Sequence, residues 1–284
     1  MKLVRFGPAG REKPGIIDSE GRIRDLSKLV PDFAGDALSP RSLAKLRKAR
    51  LEALPLVKGQ PRLGPCVGRV ANFLAIGLNF ADHAAEAGMP LPKEPVVFSK
   101  ATSCICGPND DTITPKEASK LDYEVELAIV IGSRARYLAK DQTMDAVAGY
   151  CIGNDVSERT FQLERSGGQW YKGKSSETFG PLGPWLVTKD DIKDPQNLGM
   201  WLTVNGKTRQ QGSTKTMIFD VAHLVWYCSQ FIVLEPGDVI ITGTPPGVAL
   251  GMKPTPQFLK PGDVVRLGIE ELGEQEQKVV PYRA

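Results

Sequence analysis

The stretch KLDYEVELAIVIG, residues 120–132, constrains the fold of this chain more than any other. Its second half is apolar and β-branched, which predicts a strand that enters a core. Its first half places Asp122, Glu124 and Glu126 two residues apart. Successive side chains of a strand point to opposite faces, so the three carboxylates share one face. Half-burying like charges there is costly unless a cation compensates them, and the segment therefore predicts a cation beside the strand.

The composition is that of an ordinary globular protein with a sizeable core. The 284 residues are 41% hydrophobic and 24% charged, and 36 basic residues nearly balance 33 acidic ones. No basic stripe with interleaved aromatic residues is present, so nucleic acid is not predicted as a partner. The apolar runs fall short of the roughly 20 residues that a membrane helix needs, and five scattered cysteines indicate reduced thiols. We expect a soluble, cytoplasmic protein with no membrane partner.

The chain divides by composition into two predicted domains. Residues 1–65 predict a small N-terminal domain of short strands followed by a helix, with Ser39 as its N-cap and Pro40 at its first position. The Gly- and Pro-rich stretch VKGQPRLGP then predicts a linker. Residues 70–284 form the second predicted domain, which is where the candidate functional residues lie.

The second domain is predicted to be rich in strands. Short β-branched segments predominate, and Asn205-Gly206 predicts a two-residue hairpin turn. Two similar stretches, LEPGDVIITG and LKPGDVVRLG, suggest a rolled or barrel-like sheet built from similar units. Helices are predicted only around NFADHAAEAG, SERTFQLER and FDVAHLVWYCSQ. This pattern predicts a β-rich α+β fold rather than alternating strands and helices.

The first candidate site is the acidic face of the strand. The Glu124 and Glu126 carboxylates can converge on one ion, and Asp155 ends another apolar strand 29 residues later, a spacing that suits an adjacent returning strand. Three carboxylates with open positions suit a hard divalent cation, Mg²⁺ or Mn²⁺. The alternative is a solvated strand edge without a bound ion.

Three further stretches carry possible chemistry. His83 and Glu86 are three residues apart, so a helical turn would place a carboxylate beside an imidazole, as a general base needs; the alternative is a surface pair. The Pro/Gly stretch that follows predicts a mobile lid. Lys172 and Lys174 flank a glycine in a loop, and a lysine near a metal could stabilise an enolate oxygen. Thr244, in ITGTPPGV, could bind a carboxylate, although no nucleotide-binding glycine motif is present.

The sequence resembles the fumarylacetoacetate hydrolase family in five stretches that occur in the same order. They are GLNFADHAAE, DYEVELAIVIG, GNDVSERTFQ, KGKSSETFGPLGP and PGDVIITGTPPGV. The resemblance covers about residue 70 to the end and implies a mixed β-sandwich roll with a small N-terminal α/β domain. It also implies a homodimer or homotetramer. The residues that it assigns are metal ligands Glu124, Glu126 and Asp155, catalytic residues His83, Glu86 and Lys174, and substrate-binding residues Arg159, Gln162, Thr244 and Asp82. Asp122 is expected to lie outside the metal ligands.

The resemblance implies hydrolysis of an acylpyruvate-type substrate with Mg²⁺ or Mn²⁺. The chain is most similar to the bacterial branch that cleaves 2,4-diketo-3-deoxy sugar acids, of the L-rhamnonate or L-fuconate type, to pyruvate and lactate. Oxaloacetate decarboxylation and the isomerisation or decarboxylation of unsaturated dicarboxylates are alternatives within the family. From another class, the chain could be a non-catalytic β-rich protein that binds Ca²⁺ or Mg²⁺. A glycosidase is disfavoured because acids two apart on one strand lie too close to flank a sugar.

Overall fold

The computed structural model of the chain describes residues 1–86, 88 and 90–282. Within them the fold is α+β and strand-rich, as the sequence predicts. The strands are β1 (Lys2–Phe6), β2 (Lys13–Ile17), β3 (Ile23–Asp25), β4 (Phe73–Gly77), β5 (Val96–Lys100), β6 (Ile105–Cys106), β7 (Thr112–Ile113), β8 (Leu121–Asp122), β9 (Val125–Ile131), β10 (Val147–Asn154), β11 (Ser157–Glu158), β12 (Gly180–Thr188), β13 (Gly199–Val204), β14 (Lys207–Ser213), β15 (Val239–Ile241), β16 (Val264–Ile269) and β17 (Gly273–Val280).

The helices are short and lie between these strands. The α-helices are α1 (Pro40–Leu46), α2 (Ala81–Glu86), α3 (Tyr171–Lys174) and α4 (Val221–Phe231), and Thr160–Glu164 forms a π-helical turn. Short 3₁₀ segments occupy Gly35–Leu38, Leu51–Ala53, Thr102–Cys104, Lys140–Ala146, Lys189–Asp191, Thr214–Thr216 and Ala249–Gly251. In the described part of the chain, no helix combines the length and the apolarity that crossing a bilayer requires.

A ten-stranded sheet carries the core. Its order is β3-β2-β1-β12-β10-β9-β15-β4-β5, with β6 also paired to β12. The central strand β9 is buried on both faces along its whole length, which explains why its sequence is a continuous apolar run after Glu126. Strand β10 pairs with it in antiparallel register, with Cys151 opposite Ala128. The predicted core strand is confirmed.

A five-stranded sheet, in the order β14-β13-β16-β17-β7, packs beside the large one. The predicted hairpin is confirmed: Asn205 and Gly206 both have positive φ, at 51° and 74°, and join β13 to β14. The two Pro-Gly-Asp stretches share a local turn, because Asp238 and Asp263 each accept the backbone N–H of the residue three positions earlier. They feed strands of different sheets, β15 and β16, so the repeat specifies a turn and not a repeated unit of the sheet.

The N-terminal strands extend the large sheet, since β1 pairs antiparallel with β12. The predicted helix N-terminus is confirmed: the Ser39 hydroxyl accepts the Ser42 N–H at 3.2 Å, and Pro40 is the first residue of α1. The helix ends at Leu46. The division into domains at residues 65–70 stays a prediction.

One of the other helices differs from expectation in extent. The helix predicted around SERTFQLER starts later than predicted, because Ser157–Glu158 forms a strand that pairs with β8. The buried Glu158 carboxylate accepts the backbone N–H groups of Ser119, Lys120 and Phe161, which fixes the strand and starts the π-helical turn after it. The lid predicted for the Pro/Gly stretch after α2 includes residues 87 and 89, which lie outside the described residues, and it stays a prediction.

Candidate active site

Three carboxylates converge where β9 begins and β10 ends. Glu124 precedes β9, Glu126 is its second residue, and Asp155 follows β10. The antiparallel register places Val125 opposite Asn154, which brings the start of one strand beside the end of the other. One carboxylate oxygen from each residue lies within 4.8 Å of the others, and each residue is at most 6% exposed. The structure therefore brings together the three acids that the sequence singled out.

Two cations predicted from sequence lie against these acids. The Lys174 ammonium is 2.7 Å from Glu124 Oε2 and 2.6 Å from Asp155 Oδ2. The Arg159 guanidinium donates to Glu124 Oε1 at 2.6 Å and to Asp122 Oδ2 at 2.8 Å. Asp122 thus contacts arginine and lies outside the group of three, as expected. All these side chains are buried, so their charges interact strongly.

Lys100 is a third buried cation that the sequence analysis missed. Its side chain is fully buried, and its ammonium contacts Asp155 Oδ1 at 2.5 Å, on the opposite oxygen from Lys174. It also donates to the backbone carbonyls of Val156 and Lys174, so all three of its protons have partners. The available signal was a lysine at the end of the largely apolar strand VVFSK. That signal indicates a buried charge but does not identify its partner.

The acids of the cluster differ in how well they are compensated. Burial alone would raise the pKa of Glu124, but Lys174 and Arg159 outweigh it and lower that pKa to about 2. Burial, together with the neighbouring Asp155 and Glu124 carboxylates, raises the pKa of Glu126 well above its usual range. Among the described residues, Glu126 forms no ion pair; its Oε2 accepts the Gly243 N–H at 2.7 Å.

The donor set fits a hard divalent cation. Three carboxylates supply oxygen ligands only, the type that Mg²⁺ and Mn²⁺ prefer over nitrogen or sulfur. Among the described residues Glu126 has a backbone N–H and no cation as its partner, so the cluster carries more negative charge than its own residues neutralise. Glu124, Glu126 and Asp155 are thus the residues that could hold the cation.

Strand β15 ends against the same cluster. Gly243 follows it with φ of +93°, and a Cβ there would lie 3.0 Å from Asn79 Cβ, so glycine is needed for its N–H to reach Glu126. The next residue, Thr244, donates its hydroxyl proton to the Val125 carbonyl at 2.9 Å. The same hydroxyl accepts from Gln210 Nε2 at 2.8 Å. Thr244 therefore also ties the β15 end to the start of β9.

The Lys-Gly-Lys stretch places one lysine inside and one outside. Lys174 ends α3 and is buried, whereas Lys172 is exposed and donates to the Arg165 carbonyl. A Cβ on the intervening Gly173 would lie 2.4 Å from the backbone nitrogen of Gln162, so only glycine lets α3 approach the π-helical turn. Gln162 in turn accepts from Arg159 Nη1 at 2.8 Å.

The His83–Glu86 pair forms on α2. His83 Nδ1 lies 3.1 Å from Glu86 Oε2, and the Gly247 N–H donates to the same carboxylate at 3.1 Å. The Glu86 carboxylate therefore orients the imidazole through Nδ1. The second ring nitrogen, Nε2, stays available for another partner. Asp82 accepts from the Thr216 hydroxyl instead.

A cavity of about 420 Å³ joins these groups. Nine of the ten site residues predicted from sequence line it, and Asp82 does not. The remaining lining residues are mostly apolar. The full lining consists of Ile76, Gly77, Leu78, His83, Glu86, Phe98, Glu124, Glu126, Asp155, Arg159, Gln162, Leu163, Trp170, Lys174, Gly243, Thr244, Val248, Leu250, Gly251 and Lys253.

Relatives share both the sequence and the fold of the whole chain. A protein from Burkholderia orbicola, described as "Putative hydrolase", is 62% identical over 278 residues, 98% of each chain. Fumarylacetoacetate hydrolase from Exiguobacterium antarcticum is 36% identical with a TM-score of 0.83, covering 99% of this chain and 100% of that one. Maleylpyruvate hydrolase from Sphingobium sp. SYK-6, solved with manganese(II) and pyruvate, is 27% identical with a TM-score of 0.81 over 100% of both chains.

One further solved structure is named for a different reaction. The 2-hydroxyhepta-2,4-diene-1,7-dioate isomerase from Mycobacterium marinum is 30% identical, with a TM-score of 0.75 over 100% of both chains. The model of the fumarylacetoacetate (FAA) hydrolase C-terminal domain matches residues 72–280. The chain is therefore a member of the fumarylacetoacetate hydrolase family.

Proposed function

We propose that this enzyme hydrolyses an acylpyruvate-type 2,4-dioxo acid to pyruvate and a carboxylic acid, with Mg²⁺ or Mn²⁺ held by Glu124, Glu126 and Asp155. A 2,4-diketo-3-deoxy sugar acid of the L-rhamnonate or L-fuconate type, giving pyruvate and lactate, is the substrate we put first from sequence. The observation that carries the proposal is that one cavity is lined by the acid cluster, by Lys174 and by the His83–Glu86 pair. The manganese and pyruvate bound to the Sphingobium maleylpyruvate hydrolase support it.

The charge balance of the cluster supports an anionic substrate. Four carboxylates, the three acids and Asp122, face the three cations Lys100, Arg159 and Lys174, which leaves a formal net charge of −1. A divalent cation changes that charge to +1, and the carboxylate of a 2-oxo acid then neutralises it. Net charge in a buried site is costly, so cation and substrate stabilise each other there.

The residues of the chain have distinct roles in the proposed reaction. When bound, the divalent cation would polarise the substrate oxygens and stabilise negative charge on them. The Lys174 ammonium lies on the acid cluster and would stabilise the negative charge that develops on the 2-oxo group. His83, oriented by Glu86 through Nδ1, would take a proton from water at Nε2.

The reaction balances with water as the only co-reactant. Water adds to the C4 carbonyl, the bond between C3 and C4 breaks, and its electron pair goes to C3. C3 takes a proton and becomes the methyl group of pyruvate, while the acyl group leaves as a carboxylic acid. The proton that His83 removes from water is available for C3, so its imidazole returns to the neutral state.

Decarboxylation and isomerisation are the competing activities within the family. The isomerase from Mycobacterium marinum keeps the second of these open. Neither reaction consumes water, so neither needs His83 to activate a water molecule. The His83–Glu86 pair in the cavity therefore favours hydrolysis.

The test is pyruvate release from a 2,4-diketo-3-deoxy sugar acid, acetylpyruvate and oxaloacetate, with Mg²⁺, with Mn²⁺ and with EDTA. The proposal predicts metal-dependent release from the dioxo acids, and a loss of roughly 10²–10⁴-fold in kcat for His83→Ala. His223→Ala, on α4 away from the cavity, is the matched control and should keep wild-type activity.

Two results would change the assignment. Turnover of oxaloacetate alone, retained in His83→Ala, would indicate a decarboxylase. Metal binding with no turnover of any of the three, and no effect of His83→Ala on metal binding or stability, would favour a non-catalytic metal-binding protein. A homodimer or homotetramer is expected in either case and is measured by light scattering.

A further inference from the structure

We propose that the cavity contains an apolar subsite, formed by Phe98, Leu163, Trp170 and Leu250, that selects 2,4-dioxo acids with an alkyl or aryl acyl group longer than acetyl. The inference rests on the proposed hydrolysis of a 2,4-dioxo acid. Within that class it places an apolar acyl group ahead of the hydroxylated acyl group of the sugar acid. It follows from the size of the cavity, from an aromatic wall beside the acid cluster, and from two exposed leucines at the cavity surface.

The cavity is larger than a pyruvate unit requires. Its volume of about 420 Å³ lies within the range, roughly 300–1,000 Å³, of sites that hold drug-sized ligands. The acid cluster and Lys174 account for binding the charged end of a 2-oxo acid. The remaining volume is therefore available to the acyl group.

The aromatic wall begins directly beside the acid cluster. The Lys174 ammonium that contacts Glu124 and Asp155 also lies 5.4 Å from the centroid of the Phe98 ring. Phe98 packs edge-to-face against Trp170, with centroids 5.2 Å apart and planes at 70°. A Cβ on Gly77 would lie 2.5 Å from the Trp170 ring, so the indole rests on the backbone of β4. The indole is thus held in place from two sides.

Two leucines in the same lining are exposed. Leu163 is 49% exposed and Leu250 is 40% exposed, although both line the cavity. Their backbones are fixed: Leu163 belongs to the π-helical turn, and the Leu250 N–H donates to the buried Asp122 carboxylate at 3.1 Å. Asp122 also binds Arg159, so the loop of Leu250 is anchored to the acid cluster. Apolar surface held open beside a charged site gains free energy when a ligand covers it.

The chemistry of this wall favours an apolar acyl group over a hydroxylated one. The side chains of Phe98, Leu163 and Leu250 have no hydrogen-bonding atoms, so a hydroxyl placed against them would lose its bonds to water without replacement. Lys253 also lines the cavity and could pair with a terminal carboxylate. A dicarboxylic substrate is therefore the competing possibility, and the test includes it.

The experiment compares kcat/KM for acetyl-, butanoyl-, hexanoyl- and benzoylpyruvate with that for maleylpyruvate and for 2,4-diketo-3-deoxy-L-rhamnonate. The proposal predicts a rise of about fourfold per methylene along the alkyl series, expressed mainly as a lower KM. In Trp170→Ala and in Leu163→Ser the ratio of hexanoyl- to acetylpyruvate should fall at least about tenfold. Leu163 is half exposed, so its variant should fold even if Trp170→Ala does not. Trp201→Ala, on the five-stranded sheet, is the matched control and should keep the wild-type ratio.

A binding measurement separates this inference from the proposed function. Calorimetric titration with 2-oxo acids from pyruvate to 2-oxooctanoate, in the presence of Mn²⁺, reports the subsite without cleavage. Tighter binding with chain length, but no cleavage of any acylpyruvate, would support the subsite and overturn the hydrolase. Cleavage of acetylpyruvate with a flat or falling chain-length series, or a preference for maleylpyruvate or the sugar acid, would overturn the subsite and keep the hydrolase.

Discussion

Two of the charged clusters in the described part of the chain differ in one respect: in only one of them does every carboxylate contact a cation. The first, here called the N-terminal network, consists of Arg5, Glu12, Asp32, Arg62 and Asp110. The second is the site cluster of Asp122, Glu124, Glu126, Asp155, Lys100, Arg159 and Lys174. Both contain one more carboxylate than cations. They differ in where the excess charge lies.

In the N-terminal network every carboxylate contacts an arginine. Asp32 lies 2.7 Å from Arg5, Glu12 lies 3.0 Å from Arg62, and Asp110 accepts from Arg62 Nε at 2.7 Å. The side chains of Arg62 and Asp110 are also 30% and 24% exposed, so water screens what the arginines do not neutralise. Such a network stabilises the fold and needs no further ion.

In the site cluster the excess charge falls on one buried residue. Glu126 is 2% exposed and, within the described ranges, has a backbone N–H as its partner and no cation. The number of acids in a cluster is therefore a weaker indication of a metal site than one acid that is both buried and without a cation partner. Four predictions test this difference.

The largest stability effect is expected for Lys100→Met. It leaves one oxygen of the buried Asp155 without its cation, and removing one partner of a buried pair typically costs about 3–5 kcal/mol. Denaturant unfolding of the metal-free protein measures the loss. Arg62→Met in the partly exposed N-terminal network is the matched control and should cost clearly less. Excess Mn²⁺ should restore more stability to Lys100→Met than to Arg62→Met; equal recovery in both variants would contradict the account.

Binding of the divalent cation should stabilise the wild-type protein by an intermediate amount. A ligand that binds only the native state contributes about 2.7 kcal/mol at a hundredfold excess over its Kd. Thermal unfolding with EDTA and then with increasing Mg²⁺ or Mn²⁺ measures the shift. Asp110→Asn, which alters only the N-terminal network, should show the same metal-induced shift as wild type. A shift that disappears in this variant would place the ion elsewhere.

A smaller and opposite effect is expected for Glu126→Gln without metal. The amide removes an uncompensated buried charge while keeping the shape, so the metal-free variant should be about 1–3 kcal/mol more stable than wild type at neutral pH. Unfolding in the presence of EDTA measures this difference. A metal-free variant less stable than wild type would show that Glu126 is already compensated.

The pH dependence of that difference has a defined sign. The pKa of Glu126 is raised in the folded protein by burial and by Asp155 and Glu124. Its contribution to stability is therefore complete below the unfolded pKa, about 4.3, and is lost as pH rises through the folded pKa. The advantage of Glu126→Gln over wild type should grow from pH 4 towards neutral pH in EDTA. A constant difference across that range would argue against a raised pKa.

Much of the site could be predicted because strand geometry is local. The period of two placed Glu124 and Glu126 on one face, and the apolar strand that ends at Asp155 predicted an adjacent partner. Lys100 could not be found this way, because its contact with Asp155 depends on how the sheet and the following loops pack. The His83–Glu86 pair was visible as a helical spacing, but its support by Gly247 was not.

The fold was predictable where strands carry apolar, β-branched residues. Strand β17, GEQEQKVV, was missed because its inward side chains are glutamines: Gln275 and Gln277 are at most 1% exposed. Gln275 donates to the Ile152 carbonyl at 2.8 Å, and Gln277 accepts from Asn154 at 3.0 Å. The period of two is present in burial but not in hydrophobicity, so an apolar pattern could not reveal it.

Titration of the wild-type protein and of Glu126→Gln with Mn²⁺, followed by electron paramagnetic resonance, decides whether the three buried acids bind the metal ion. The account predicts one bound Mn²⁺ per wild-type chain, and at least about a hundredfold weaker binding in Glu126→Gln, because the unpaired carboxylate is both a ligand and the charge that favours the ion. Asp110→Asn should bind as wild type does. Equal Mn²⁺ affinity in wild type and Glu126→Gln would contradict the claim that the buried acids of β9 and β10 form the metal centre.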